Sequence, residues 1–377
     1  MIVSVIFISI TILYLLIIGR FIYGFDKVPA FNLEDMPAKT KFSVIIPFRN
    51  EVTDLPKLLA SISQLNYPSH LTEFIFIDDD SSDASVSIIQ EYAKTHKLPI
   101  TILKNKRSSN SPKKDAITTA ISHVKTEWII TTDADCELPK YWLDTYDCFI
   151  QNNPQKQMIV APVSYNSSSR ILDRFQTLDF FSLIGTTIGA FGIKKPFLCN
   201  GANLGYTKTL FNGINGFENN NNIASGDDVF LLQKAIKKDP KTVSYLKSDR
   251  VVVKTTPEKN LKNLISQRIR WASKTTSYSS MYATFIGVAV LLMNMLLLAS
   301  IVLGITGVLK PQFIGYIFII KCGIDFLLLF KTARLLNQEH LLSSYLFSAV
   351  FYPFFCIYIA VLSTFRGYKW KDRSFNK

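Results

Sequence analysis

The chain has 377 residues, of which 48% are hydrophobic, and it includes 28 Phe and 16 Tyr. This length exceeds one typical soluble core and the apolar content exceeds what a soluble enzyme needs, so the composition argues against a soluble single-domain enzyme. The net charge of +13 gathers at residues 104–114, at 262–274 and beyond Phe365. No basic face with interleaved aromatic residues accompanies these clusters, so we expect no nucleic-acid partner.

The chain begins with an apolar segment. Residues 2–18 carry no charge and are followed by Arg20 and Lys27. Their length suits a helix that crosses a bilayer core of roughly 30 Å, which predicts a membrane anchor over residues 1–22. A cleaved signal peptide would need a basic start and a small-residue cleavage site, and this segment has neither.

Short strands and helices alternate after the anchor. The β-rich runs 42–48, 73–78 and 128–132 predict strands, and a weaker strand is expected at 100–103. Helical periodicity is expected at 54–65, 85–96 and 114–123. This alternation predicts an α/β fold with a mostly parallel sheet flanked by helices, in which ligands bind at the carboxyl ends of the strands.

Acidic clusters follow two of these strands. Asp78 and Asp79 open the run 78–83, which can bind substrate or can form a turn and a helix N-cap. Asp133 and Asp135 follow the strand 128–132. Carboxylates two residues apart at the end of a strand can hold one Mg²⁺ or Mn²⁺ ion that shares its other positions with phosphate and water.

An apolar stripe follows in residues 170–183. Ile171, Phe175, Leu178 and Phe181 recur at helical spacing. Two interpretations are open, a helix lying at a membrane surface beside the active site and an ordinary core helix.

A third acidic pair, Asp227 and Asp228, opens a predicted helix after a glycine-rich and Asn-rich stretch from 200 to 222. Either pair member can act as a helix cap or as a general base on an acceptor hydroxyl. Within the upstream stretch, Gly201 suits a close approach of the backbone to a ligand, and we also assign Asn203 to substrate binding.

The segment QRIRW, residues 267–271, precedes the C-terminal apolar region. On a helix, Gln267, Arg270 and Trp271 share one face, and Arg268 can reach round to it from the side. This face can bind a phosphate and stack on a ring. The alternative is a basic helix beside the membrane, whose arginines meet lipid phosphates and whose Trp lies in the interface.

Three further apolar stretches lie at about 282–308, 312–330 and 342–364. Basic flanks place the mixed domain in the cytoplasm, and five cysteines without paired metal spacing fit a reducing compartment. Three crossings would put the basic tail, 366–377, outside, so either one segment does not cross or the charge rule is broken. The segment 312–330 is the weakest because it contains Lys321 and Asp325, which we expect to form an ion pair.

Taken in order, these motifs resemble the family 2 glycosyltransferases, in particular the membrane-embedded branch with ceramide glucosyltransferases and cellulose and hyaluronan synthases. The resemblance rests on FSVIIPFRNE at 42–51, IDDDSSD at 77–83, TTDADCELP at 131–139, GDD at 226–228 and QRIRW, and it includes Lys113 with Ala116. It implies a GT-A nucleotide-sugar-binding fold and transfer of a hexose, with inversion, from a nucleotide-sugar donor, which we take to be UDP-linked.

The resemblance also implies roles for single residues. Arg49 and Glu51 border the nucleoside pocket, Asp79 with Asp78 contacts the base or ribose, and Lys113 lies near the diphosphate. Asp135, supported by Asp133, binds the divalent ion, and Asp228 is the base, with Asp227 as the alternative. Gln267, Arg268 and Arg270 stabilise the leaving diphosphate, and Trp271 lies at the acceptor site. Asp80 stands where many soluble relatives have Gly.

These expectations define four regions, the anchor at 1–22, a cytoplasmic catalytic domain at 40–278, two or three spans at 280–365 and the basic tail. A pore for polymer export needs several membrane helices, and this chain has at most four. We therefore favour transfer to a lipid or lipid-linked saccharide in the cell or inner membrane. Processive polysaccharide synthesis is the alternative. An inactive membrane-anchored scaffold is a third hypothesis, and the intact acidic motifs and QRIRW argue against it.

Overall fold

The computed structural model describes residues 2–166, 169–220, 223, 226–273, 280–370 and 373–375. The chain forms two compact units. We call Pro29–Asn166 with Leu198–Thr256 the sheet unit, and Met1–Val28 with Ser167–Phe197 and Pro257–Lys377 the helical unit. The predicted domain 40–278 therefore draws on both units.

The elements follow the expected alternation up to the fourth strand. They are α1 (Ile2–Lys27), β1 (Phe42–Phe48), α2 (Leu55–Ser63), β2 (Thr72–Asp78), α3 (Ser85–His96), β3 (Ile100–Lys104), α4 (Pro112–Ile121), β4 (Trp128–Thr131), β5 (Cys136–Glu137), α5 (Trp142–Asn152), β6 (Met158–Val160) and β7 (Val163–Tyr165). The later elements are α6 (Ile171–Gly192), β8 (Leu204–Thr207), α7 (Lys208–Gly213), α8 (Asp227–Lys238), β9 (Val243–Tyr245), β10 (Val253–Thr255), α9 (Leu261–Ala272), α10 (Met281–Ile305), α11 (Pro311–Leu335), α12 (Tyr345–Phe365), β11 (Tyr368–Trp370) and β12 (Arg373–Phe375).

A seven-stranded sheet in the order β3-β2-β1-β4-β8-β6-β9 forms the centre of the sheet unit. Strands β3, β2, β1 and β4 are parallel, β8 is antiparallel to both of its neighbours, and β9 is parallel to β6. The core of β1 is fully buried at Val44, Ile45 and Ile46, as a central strand covered on both faces requires. The mixed, mostly parallel sheet confirms the predicted fold class.

The carboxyl ends of the parallel strands stay side by side beyond the sheet. The Asp79 N–H donates to the carbonyl of Phe48 at 3.0 Å, and the Asn105 N–H donates to that of Asp78 at 2.9 Å. The Thr132 N–H donates to the carbonyl of Ile45 at 3.2 Å. The segments after β1, β2, β3 and β4 therefore meet at one edge. Two small sheets complete the described strands, β5-β10-β7 in the sheet unit and the pair β11-β12 in the helical unit.

Among the residues that the structure describes, the helical unit contains four helices that are long and apolar enough to cross a membrane, namely Val3–Lys27, Met281–Ile305, Pro311–Leu335 and Glu339–Phe365. The charged residues of α11 are paired, since Lys321 Nζ lies 2.7 Å from Asp325 Oδ2. The hydroxyl of Tyr14 on α1 donates to Asp325 Oδ1 at 2.7 Å. The predicted ion pair is confirmed, and it lets α11 carry charge inside an apolar bundle.

Glycines allow α1 and α6 to pack backbone against backbone. A Cβ added to Gly24 would lie 2.1 Å from the carbonyl oxygen of Gly189, and one added to Gly192 would lie 1.8 Å from that of Gly24.

In the predicted apolar stripe of α6, Leu178 and Phe181 are buried while Ile171 is 66% exposed. The buried part of the stripe behaves as an ordinary core helix, one of the two open interpretations.

Candidate active site

The loop after β1 is fastened to the loop after β2 by Arg49. Its Nη1 donates to the carbonyls of Asp79 at 2.7 Å and Asp80 at 2.8 Å. Asp80 has a φ of +67°, a left-handed conformation that Asp tolerates better than most residues. Arg49 therefore shapes the edge expected to hold the nucleoside.

Asp79 is a buried acid at this edge, with 6% of its surface exposed. Its Oδ1 accepts from Asn105 Nδ2 at 2.7 Å and lies 3.4 Å from Nη1 of Arg107. Neither partner was predicted as a site residue, although both lie in the basic cluster at 104–114. Their position directly after β3 was the available signal, because the ends of parallel strands meet at one edge.

Asp78 and Glu51, two further predicted site residues, form hydrogen bonds within this edge. Asp78 Oδ1 accepts the N–H of Ser81 at 2.9 Å, which is the turn-forming role considered for this cluster. The N–H of Glu51 donates to the Ser85 hydroxyl at 2.8 Å and so joins the β1 loop to the start of α3.

The second acidic motif lies beside a lysine. Nζ of Lys113, in the first turn of α4, is 2.6 Å from Asp133 Oδ1 and 3.5 Å from Asp227 Oδ2. One ammonium thus bridges the loop after β4 and the start of α8. Although burial alone would lower it, the pKa of Lys113 is raised above its ordinary value because Asp133, Asp227 and Asp228 favour the charged form.

The third acidic pair splits into two environments. Asp227 is buried, with 8% of its surface exposed, whereas Asp228 is half-buried. Oδ2 of Asp228 accepts the backbone N–H of Gly201 at 3.0 Å. A Cβ on Gly201 would lie 3.0 Å from Asp227 Oδ2, so a glycine here lets the backbone approach both carboxylates.

Asn203, which the sequence analysis assigns to substrate binding, lies in the interior of the sheet unit. Its side chain is fully buried, and its Oδ1 accepts from Trp142 Nε1 and the Tyr146 hydroxyl, both at 3.0 Å. Its Nδ2 donates to the carbonyls of Pro162 and Val251. The Asn203 amide is engaged by protein on every side and joins α5 to the segments around Pro162 and Val251.

The carboxylates after β4 suit a hard divalent cation. Asp133 and Asp135 are both half-buried, and the ammonium at Asp133 shows that this position attracts positive charge. Among the residues that the structure describes, no group of three or more His, Cys, Asp or Glu side chains could enclose a metal. Mg²⁺ commonly uses one or two carboxylates and takes its other ligands from phosphate and water, so the available pair fits such an ion.

The segment QRIRW lies in the helical unit, at the end of α9. Gln267 Nε2 donates to Glu258 Oε1 at 2.9 Å. The backbone of Glu258 is held by Gln176 of α6, whose Nε2 donates to the Glu258 carbonyl at 3.0 Å and whose Oε1 accepts its N–H at 2.9 Å. The amide of Gln267 is therefore anchored through Glu258 to α6.

Arg268 is drawn into the interior, with 6% of its surface exposed. Its Nε lies 2.7 Å from Oδ2 of Asp179 on α6, and its Nη1 donates to Oε1 of Gln267. The guanidinium carbon lies 4.2 Å from the centre of the Trp271 ring. The prediction that Arg268 reaches round to the face of Gln267 and Trp271 is confirmed. Arg270 and Trp271 are half-buried.

Asp179 was not predicted as a site residue. It belongs to the mixed sequence RFQTLDFFSL, in which Asp179 is one of several polar residues and nothing marks it as part of a site. The available signal was the rule that a buried acid needs a partner, which would have led to a search for a cation on another helix.

Family models match most of the chain. One described as "Glycosyl transferase family 2" matches residues 43–209, and one described as "Glycosyl transferase family group 2" matches residues 128–366. Together these ranges contain every motif from the β2 end to QRIRW.

Two curated relatives come from staphylococci. The poly-beta-1,6-N-acetyl-D-glucosamine synthase of Staphylococcus epidermidis is 24% identical over 269 residues, which cover 68% of this chain and 61% of the relative. The 4,4'-diaponeurosporenoate glycosyltransferase of Staphylococcus haemolyticus is 35% identical over 126 residues, covering 33% of this chain and 31% of the relative. The matched region spans about three fifths of the synthase.

A solved structure extends the likeness to nearly the whole chain. The mannosyltransferase PcManGT from Pyrobaculum calidifontis, in complex with GDP-Man and Mn²⁺, superimposes with a TM-score of 0.50 at 15% identity. The match covers 96% of this chain and 99% of that one. At this identity the likeness concerns the fold.

Proposed function

Because the chain belongs to glycosyltransferase family 2 and is a sugar-transferring enzyme, we propose that it moves a hexose from a UDP-linked donor to a lipid or lipid-linked saccharide at a membrane. The observation that carries the proposal is the meeting of Lys113, Asp133 and Asp227 at one edge of the sheet unit. Cation and carboxylates so arranged suit a nucleoside diphosphate and its counter-ion.

In this proposal, residues at the ends of the parallel strands bind the donor. Asp79, held by Asn105 and Arg107, meets the base or ribose, and Arg49 and Glu51 border that pocket. Asp78 supports the turn beside it. Lys113 contacts the diphosphate. This contact requires only a small movement of the long Lys113 side chain away from Asp133.

Asp135, with Asp133, is proposed to hold Mg²⁺ or Mn²⁺. Such an ion, when bound, offsets the negative charge that develops on the leaving diphosphate. Arg270 adds a planar guanidinium for the same charge, a geometry suited to phosphate oxygens. The contribution of both cations is greatest in the transition state, where the leaving group carries most charge.

Asp228 is proposed as the general base. It accepts the proton of the acceptor hydroxyl while that oxygen attacks the anomeric carbon and the bond from that carbon to the diphosphate breaks, with inversion. Its half-buried position and the hydrogen bond from Gly201 favour it over the buried Asp227, whose carboxylate faces Lys113. A base must be accessible to substrate and held in place.

The helical unit supports the proposed membrane setting. Four long apolar helices, with exposed residues such as Leu16, Ile319, Phe351 and Val361, suit lipid contact. We propose that the sheet unit faces the cytoplasm, since basic residues 262–274 precede α10. An acceptor embedded in the bilayer could then reach Trp271 from the lipid side.

A second candidate function is processive synthesis of a polysaccharide. The similarity to the S. epidermidis synthase over 68% of this chain favours it. The two functions differ in the length of the product.

The test is to incubate the purified protein in native lipid extract with a panel of nucleotide sugars, measuring nucleoside diphosphate release and the mass of the products. One hexose added to a lipid supports the proposal, and a ladder of added hexoses supports the synthase. No release with any donor would contradict both functions.

A further inference from the structure

The ion pair between Asp179 and Arg268 is buried at both ends. The side chains are 9% and 6% exposed, and their closest atoms are 2.7 Å apart. Burying two charges costs solvation that their attraction only partly restores, and an apolar pair of similar volume is often as stable. A pair of this kind is therefore poorly explained by stability alone.

Arg268 connects Asp179 to two other residues of QRIRW. Its guanidinium lies over the ring of Trp271 and donates to Gln267, whose own amide is held by Glu258. Phe180 follows Asp179 on α6, and its ring is 6.1 Å from that of Trp271. One helix, α6, thus supplies both the counter-charge and an aromatic neighbour for the set.

We propose that Asp179 is a positioning residue that, through Arg268, fixes the ring of Trp271 in the orientation that receives the acceptor. This inference rests on the proposed function. It also assigns Arg268 to the support of Trp271 and leaves the leaving diphosphate to Arg270, which revises the role expected for Arg268.

The geometry predicts a division between two reactions. Hydrolysis of the donor needs the nucleotide pocket and water, whereas transfer also needs a correctly oriented Trp271. Loss of the Asp179 carboxylate should thus raise the KM for acceptor by roughly 5-fold or more, about the effect of one lost cation–π contact in a shielded site. Donor hydrolysis should stay within about twofold, since no donor contact is removed.

The first variant is Asp179→Asn, which keeps size and removes charge. It removes the counter-charge that Asp179 provides to the buried Arg268, so it can fail to fold. The double variant Asp179→Leu with Arg268→Met removes both charges at similar volume, and it replaces the single variant if that variant is unstable.

Arg268→Lys keeps the charge and loses the planar group that lies over the Trp271 ring. Arg170→Lys is the matched control, because Arg170 is exposed and pairs with Asp173 at the start of α6.

Trp271 itself supplies a readout that needs no enzymatic activity. The emission of the full chain minus that of Trp271→Phe isolates the Trp271 signal from the other three tryptophans. We expect this signal to shift in Asp179→Asn, in Arg268→Lys and in the double variant, and to stay unchanged in Arg170→Lys.

An unchanged Trp271 signal in the folded Asp179 variants would overturn the inference, and so would equal losses of transfer and donor hydrolysis. If the unaltered protein turned over no nucleotide sugar, the proposed function would fail. The emission comparison would still decide whether Asp179 orients Trp271.

Discussion

The ammonium of Lys113 lies between two acidic motifs, 2.6 Å from Asp133 and 3.5 Å from Asp227. The motif proposed to hold the metal and the motif proposed to supply the base are therefore parts of one electrostatic cluster. A change in either motif alters the charge that the other experiences, so their effects should not be additive.

Replacing Lys113 by Met should lower the melting temperature, because Asp133, Asp227 and Asp228 would then repel one another without a cation between them. The folded-state pKa of Lys113 is raised above its ordinary value of 10.5. The stabilisation that Lys113 gives the folded state is thus complete below pH 10.5. It is lost only as the pH rises through the higher folded-state pKa of Lys113. The difference in melting temperature between the two proteins should be constant from about pH 6 to pH 9. A difference that shrinks between neutral pH and pH 9 would contradict this.

Asp135→Asn should abolish donor turnover and weaken binding of Mn²⁺ while the protein stays folded. A bound ion supplies several kcal/mol of charge stabilisation, so we expect a loss of about 100-fold or more. Turnover and Mn²⁺ binding by electron paramagnetic resonance measure the two effects. Glu137→Gln is the control, because Glu137 is an exposed acid of the same segment. A loss of only about twofold would be too small for a metal ligand.

Asp228→Asn should keep donor affinity and lose transfer by about 100- to 10,000-fold, the usual contribution of a general base. Asp227→Asn should weaken the contact with Lys113 and so affect donor binding more than the chemical step. Donor titration and single-turnover transfer separate the two. The assignment is wrong by one residue if Asp227→Asn binds donor normally and does not transfer, while Asp228→Asn is near normal.

Arg270→Lys should severely impair transfer although the charge is kept, since Lys lacks the planar two-pronged geometry that binds phosphate. If QRIRW were only a basic helix facing anionic lipid, Lys would substitute freely. Transfer and membrane flotation should be measured on the same preparation. Normal transfer by this variant would remove the support for the enzymatic role of Arg270.

Gly189→Ala should destabilise the helical unit, because the added Cβ would lie 2.4 Å from the carbonyl oxygen of Phe21. Overpacking of this kind costs about 1–3 kcal/mol. Gly19→Ala is the matched control on α1, where an added Cβ meets nothing within 4 Å. Thermal unfolding in detergent should show a loss for Gly189→Ala and no loss for Gly19→Ala. Equal behaviour of the two variants would show that the glycine contact carries no packing constraint.

The sheet unit was largely predictable because its signals are local. Strand β1 is continuous and apolar, α3 begins and ends where its periodicity does, and acidic residues after parallel strands converge by topology. Contacts between distant segments were not predictable in the same way. The pairing of Asp179 with Arg268, and of Lys113 with Asp227, depends on which helices become neighbours, and no spacing along the chain encodes that.

Asn203 shows that burial, too, is hard to predict from sequence. Beside glycines and near an acidic motif, its sequence context suggested a ligand contact. The structure instead surrounds it with Trp142, Tyr146 and two backbone carbonyls. Nothing in the neighbouring sequence signals that burial, since the partners lie 41 to 61 residues away along the chain.

The glycine contact between α1 and α6 sets an order of events during synthesis. Helix α1 is made before α6, and the surface that Gly24 needs is complete only when Gly189 and Gly192 have left the ribosome. Tyr14 must wait still longer, for Asp325 on α11. Helix α1 therefore lacks these native neighbours until α6 and α11 have been made, while the strands encoded between α1 and α6 can already pair with one another. Shortening that delay by rearranging the gene, with α1 placed after α6, would test how far folding yield depends on it.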